Sequence, residues 1–200
     1  MKRGAIVDRD FTLIDVVRDE DSGAMSVAFH PSQLRLLPGV VDGLHALAAA
    51  GYTLCIATNQ PAPAKGQFSR AAVERTNRAL IELLESHGIQ IAAFEVCMHH
   101  PTGGEGGDVT LVGPCECRKP KPGLLLRAME RAGLEPSRTW MIGDATNDVL
   151  AARAAGIRSA LVFSLERCEL CPLRGGPKVA PDLVASRFDE VVAAILKRDG

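Results

Sequence analysis

The sequence predicts an α/β fold: a Rossmann-like parallel sheet with helices on both faces. Three observations carry this prediction. Short apolar runs alternate along the chain with helical stretches of 10–20 residues. The runs are apolar throughout rather than apolar and polar by turns, as strands covered on both faces must be. Several of them also end on a polar residue, and in sheets of this kind the ligand sits beyond the carboxyl ends of the strands.

The elements follow in order. Residues 4–8 read as a buried strand ending on Asp8. Residues 13–38 are mixed, are broken by Pro31 and Pro38, and read as a loop or flap. "VVDGLHALAAA" (40–50) is helical and stops at Gly51. "YTLCIATN" (52–59) is the second strand and ends at Thr58-Asn59. The breaker-rich "QPAPAKGQF" leads to Ser69, an N-cap for a helix whose apolar face holds Leu80, Leu83 and Leu84 and which Gly88 ends. "AAFEVCMHH" is the third strand and runs into a long loop, 98–120. "GLLLRAMERAG" is a helix, "RTWMIGD" the fourth strand, "NDVLAARAAG" a helix and "SALVF" the fifth strand. A Cys-, Gly- and Pro-rich excursion, 164–181, precedes a last helix, "DEVVAAILKR".

Two hundred residues suit one domain with a real core. The formal net charge of −1 and the scattered basic residues give no electrostatic footprint for a nucleic acid. No apolar stretch reaches the length of a secretory signal or a membrane span, so a cytoplasmic protein with no membrane partner is expected. A compact single unit points to a monomer.

The strand-end carboxylates are the first candidate site. If the chain stays extended beyond Asp8, Asp8 and Asp10 aim at one place. Asp144 ends the fourth strand and Asp148 follows at the start of a helix, near unpaired backbone N–H groups. One such aspartate is commonly a turn residue or a cap. Asp8, Asp10, Asp144 and Asp148 together would repel one another unless neutralised, and Mg²⁺, with its preference for hard oxygen ligands, is the natural partner. No GxxxxGK[ST] loop is present to cradle a nucleotide.

The second candidate is C-x-H, a gap, then C-x-C: Cys97, His99, Cys115 and Cys117. Three thiolates and an imidazole make a tetrahedral Zn²⁺ set with no open position, which is a structural site. His100 adjoins His99, and on spacing either could be the ligand. The glycine-rich gap could not fold alone, and a metal clip at its base would remove much of its entropy. Cys168-x-x-Cys171 is a weak signal by itself and is given no role. Cys55, in mid-strand, reads as core.

"DRDFT", "ATNQ", "CRKPKPG" and "MIGDATND" occur in this order. Together they resemble the four motifs of the haloacid-dehalogenase-like phosphohydrolase superfamily, over residues 5–163. Within it, "TNQ", C-x-H-H-P and C-x-C-R-K-P-x-P-G, and a minimal cap, are similar to the histidinol-phosphatase and heptose-bisphosphate-phosphatase group. The resemblance implies one phosphohydrolase domain over 1–200, with 97–117 as a zinc-binding insert. It implies that Asp8 is the nucleophile and Asp10 the general acid and then base. Thr58 and Asn59 would hold phosphate oxygens or order the site, Lys119 offset negative charge, and Arg118 contact substrate. Asp8, the Asp10 backbone carbonyl and Asp144 would hold Mg²⁺, with Asp148 assisting, and His99 rather than His100 would bind zinc. The implied substrate is a small phosphorylated metabolite, first of all D-glycero-D-manno-heptose 1,7-bisphosphate losing its 7-phosphate. Histidinol phosphate, or a zinc-stabilised binding protein without catalysis, are the alternatives.

The departures cluster at the mouth of the expected site. Phe11, Ile14, Pro61-Ala62 and Lys65 stand where the family usually has glycine, asparagine, Ser-Gly and arginine. A phenylalanine would be strained where φ is positive. With the aspartate spacing intact, the expectation is a turn that does not demand it, with Phe11 forming an apolar wall at the entrance or packing under the 13–38 loop.

Overall fold

The computed structural model describes residues 2–18, 21, 25–163 and 179–200. The main sheet has six parallel strands: β1 (Lys2–Val7), β4 (Thr53–Asn59), β5 (Ala93–Cys97), β6 (Leu134–Gly143), β7 (Arg158–Val162) and β8 (Leu183–Ala185), in the order β5-β4-β1-β6-β7-β8. A separate antiparallel pair, β2 (Val17–Arg18) and β3 (Met25–Ser26), lies in the segment read as a loop.

Successive strand residues feed opposite cores, which is why the strands read as unbroken apolar runs. Ala5 and Val7, Leu54 and Ile56, and Trp140 and Ile142 face one side, where α1 (Val40–Ala49), α2 (Arg70–Ser86) and α5 (Phe188–Asp199) pack. Ile6, Cys55, Ala57 and Met141 face the other, against α3 (Gly123–Ala132) and α4 (Thr146–Ala154). Ser69 caps α2 as expected, its Oγ accepting from the Ala72 N–H at 3.2 Å.

Three boundaries differ from the sequence reading. β6 begins at Leu134 rather than Arg138, because a register shift between Lys2 and Gly4 of β1 absorbs the irregular stretch around Pro136. β8 was not expected: it is three residues long, pairs among the described residues only with β7, and its Val184 is exposed, so no apolar run announces it. α5 starts one residue before the expected Asp189, since the Glu190 carboxylate accepts from the Arg187 N–H and Phe188 is buried. Cys168 and Cys171 lie outside the described residues.

At the amino-terminal edge of the sheet, the end of α5 is fastened by one carboxylate. Asp199 Oδ2 accepts from Tyr52 Oη at 2.5 Å, Trp140 Nε1 at 3.0 Å and Arg158 Nη2 at 2.9 Å. Arg158 also pairs with Asp199 Oδ1 and stacks its guanidinium on the Trp140 ring. Among the described residues, no helix is long and apolar enough to cross a membrane.

Candidate active site

β1 lies between β4 and β6, so the carboxyl ends of three neighbouring strands deliver Asp8, Thr58 and Asp144 to one place. They line a cavity of about 980 Å³ together with Asp10, Arg118 and Lys119. Lys119 is the hub. Its buried Nζ lies 2.9 Å from Asp8 Oδ1 and 2.6 Å from Asp148 Oδ1, and donates to the Ala57 carbonyl at 2.8 Å. Burial alone would lower its pKa. The two carboxylates outweigh that and raise it, so the ammonium stays charged.

Asn59 fixes where this lysine stands. Its Nδ2 donates to the Lys119 carbonyl and its Oδ1 accepts from the Lys119 N–H, both at 3.0 Å. Thr58 is buried, and its Oγ1 accepts from Gln60 Nε2 at 3.0 Å. Gly143 permits the last carboxylate: a Cβ there would meet Asp148 Cγ at 2.4 Å. Asp148 Oδ2 accepts from the Ala145 N–H at 3.1 Å.

Asp8, Asp144 and Asp148 offer carboxylate oxygens within 4.8 Å of one another. Burial, then the neighbouring carboxylates, raises Asp144 well above the ordinary range. For Asp148, burial and Asp8 raise the pKa to about 6 against the pull of Lys119. Three carboxylates and one ammonium leave two negative charges when all are ionised, the deficit that a divalent cation fits.

The side chain of Asp10, whose backbone carbonyl is the expected metal ligand, is placed apart. It stands outside the three-carboxylate cluster, its Oδ1 held by Arg9 and its Oδ2 accepting from Gln60 Nε2 at 2.5 Å. Burial raises its pKa, with Arg9 pulling it down. Phe11 corrects an expectation. Its φ is 59°, so this turn does demand the left-handed conformation, because the chain folds back at once for the Leu13 and Ile14 N–H groups to reach the Arg9 carbonyl, each at 3.0 Å. Phe11 nevertheless lines the cavity, as the wall reading required.

Cys97, His99, Cys115 and Cys117 also converge. Cys97 Sγ lies 3.8 Å from Cys115 Sγ and 3.7 Å from His99 Nδ1, and Cys117 Sγ lies 3.4 Å from His99 Nδ1. Zinc–sulfur bonds of ordinary length around a tetrahedral ion set sulfurs about 3.8 Å apart; the Cys97–Cys117 edge, at 3.0 Å, is shorter. His100 is turned to its own loop, Nδ1 accepting from the Gly103 N–H at 3.0 Å. The cluster adjoins the cavity: Asn59 pairs with Cys97 across the sheet, and the Arg118 N–H approaches Cys115 Sγ at 3.4 Å. Arg118 donates through Nη1 to the His99 carbonyl at 3.2 Å and faces the cavity.

The chain is 32% identical over 162 residues to the D-glycero-beta-D-manno-heptose-1,7-bisphosphate 7-phosphatase of Pasteurella multocida, covering 81% of this chain and 82% of that protein. The chain belongs to the haloacid-dehalogenase-like phosphatases. The HAD-hydrolase-like family profile matches residues 116–191 of this phosphatase. The 7-phosphatase of the same name from Pseudomonas aeruginosa is 32% identical over 151 residues, covering 74% of this chain and 79% of its own. The D,D-heptose 1,7-bisphosphate phosphatase from B. bronchiseptica, solved in complex with magnesium and phosphate, superposes with a TM-score of 0.74 at 27% identity, covering 98% of the phosphatase chain and 99% of its own.

Three side chains at this site had no role in the sequence reading: Arg9, Gln60 and Asn77. Arg9 and Gln60 sit inside quoted motifs but attracted no chemistry. Asn77 did carry a legible signal, being a polar residue on the apolar stripe of α2 formed by Val73, Leu80 and Leu84.

Proposed function

We propose that this phosphatase is a Mg²⁺-dependent phosphomonoesterase that removes the 7-phosphate of D-glycero-D-manno-heptose 1,7-bisphosphate through an aspartyl-phosphate. The observation that carries the reading is the buried Lys119 Nζ clamped between Asp8 and Asp148 at the carboxyl edge of the sheet. The substrate rests on the likeness to the named 7-phosphatases.

Asp8 attacks phosphorus, and Asp10 gives a proton to the departing alcohol. Asp10 then takes a proton from the water that hydrolyses the acyl phosphate. A carboxylate is a poor nucleophile toward a phosphate dianion, and Lys119 screens that repulsion. Asp8 and Asp144 would hold Mg²⁺ with the Asp10 backbone carbonyl. Asp148, with an oxygen on Lys119 and the other on the Ala145 N–H, supports it. The ion would polarise phosphoryl oxygens and balance the carboxylates. Thr58 and Arg118, both lining the cavity, would meet the substrate. Cys97, His99, Cys115 and Cys117 would hold a structural Zn²⁺ at the base of the 97–117 insert of one phosphohydrolase domain. Through Cys115 and Arg118, that ion would steady the backbone leading to Lys119.

Phosphate release should be measured over a panel of sugar and amino-alcohol phosphates with Mg²⁺. Asp8→Asn should lower turnover at least about a thousandfold; release unchanged by this substitution would remove Asp8 as nucleophile. Metal analysis of unchelated protein should find about one zinc per chain, falling in Cys115→Ser along with Tm. Protein purified without chelator and free of zinc would refute the ligand set.

A further inference from the structure

We infer that Arg9 is a positioning residue for the acid/base Asp10, linking that carboxylate to helix α2 and to the 13–38 segment. The inference rests on the reading of Asp10 given above. Arg9 is wholly buried, a costly place for a guanidinium unless its donors are all used. Nε and Nη2 donate to Asp10 Oδ1 at 3.1 and 2.8 Å. Nη2 also reaches the Ala28 carbonyl at 3.1 Å, and Nη1 donates to Asn77 Oδ1 at 2.7 Å. The planar guanidinium therefore fixes the Asp10 carboxylate relative to two distant parts of the chain, at Ala28 and Asn77.

The choice of partners is informative. Asn77 supplies an acceptor without a second negative charge, so among the described residues the ion pair of Arg9 is with Asp10. Ala28 belongs to the segment whose Met25 and Val27 line the cavity, and the next residue, Phe29, stacks on Phe68 with ring centroids 4.0 Å apart. One buried cation thus holds both the proton-transfer group and the root of the segment that walls the substrate.

Proton transfer offers a test that simple loss of folding cannot imitate. As the bond from Asp8 to phosphorus forms and the ester P–O bond breaks, an alkyl leaving group needs the Asp10 proton. A p-nitrophenyl group departs as the phenolate and does not. Since kcat/KM reports the steps through that departure, kcat/KM should be compared for an alkyl phosphate that the wild type hydrolyses and for p-nitrophenyl phosphate.

Asn77→Ala, which frees Nη1 of Arg9, should cost about tenfold on the alkyl ester and at most about threefold on the aryl ester, part of what a general acid supplies. Arg9→Lys keeps the charge but loses the planar fork. It should shift the same ratio further, and it decides the matter if Asn77→Ala fails to fold. Equal losses on both esters would overturn the positioning role. Asp10→Asn is the control. If it too affects both esters equally, the assignment of Asp10 as acid is what has failed.

Discussion

Asp144 and Asp199 stand at opposite edges of one sheet, and their surroundings push them in opposite directions. At the amino-terminal edge, a single carboxylate meets Tyr52, Trp140 and Arg158. Burial opposes its ionisation, but the hydrogen bonds from Arg158, Tyr52 and Trp140 prevail and hold its pKa at about 2. At the carboxyl edge, Asp144 shares its space with Asp8 and Asp148, Lys119 is clamped between those two, and burial with like charge drives the Asp144 pKa up. The first carboxylate is satisfied as it stands. The second is short of positive charge and gains it on binding a cation, which is how a site stores the capacity to bind. One edge of the sheet stabilises the fold, and the other gives up stability for chemistry.

The widest test of this contrast is the same chemical change at both edges. Asp144→Asn should lower Mg²⁺-supported phosphate release at least about a hundredfold, while stabilising the metal-free protein to urea by about 1 kcal/mol through relief of like-charge repulsion. Asp199→Asn should leave turnover of the folded protein unchanged and cost about 2 kcal/mol in the same urea titration. Destabilisation by both substitutions would erase the distinction.

Acid and base titrations of stability sharpen it. The folded pKa of Asp199 lies below its ordinary value of 3.8. Its contribution is therefore full above about pH 4 and is lost as pH falls through about 2. Asp148 has the reverse sign: its folded pKa of about 6 lies above 3.8. The metal-free protein should then lose stability as pH rises from about 4 to about 6. Mg²⁺ should cancel that loss without altering the acid limb, as urea midpoints with and without the ion can show.

The smallest effect is expected at Phe11. Glycine there would relieve a left-handed φ at a cost to the non-glycine chain of about 1 kcal/mol, and remove a ring from the cavity wall. Tm should change little or rise, and KM should shift more than kcat. A collapse of kcat would mean that the ring holds the aspartate turn rather than the substrate.

This last case also shows where local reading ended. The strand ends Asp8, Thr58 and Asp144, the Ser69 cap and the four cysteine–histidine positions were all legible, because each is a short-range pattern of spacing and residue type. The Phe11 turn was misread because intact aspartate spacing says nothing about the φ between Asp10 and Thr12. β8 went unseen because three residues on an exposed edge carry no periodicity.

By itself, then, the sequence determined an alternating α/β chain whose strands end in carboxylates, and it placed a thiol-rich loop next to Arg118-Lys119. Only the tertiary structure decided how those carboxylates are served. Asn59 holds Lys119 across 60 positions of chain, Arg9 finds Asn77 across 68, and Tyr52 meets Asp199 across 147. Spacing and propensity act over a turn of helix or a few residues of strand. Which cation faces which carboxylate is settled only when the sheet order sets distant segments side by side and burial makes an unpaired charge costly.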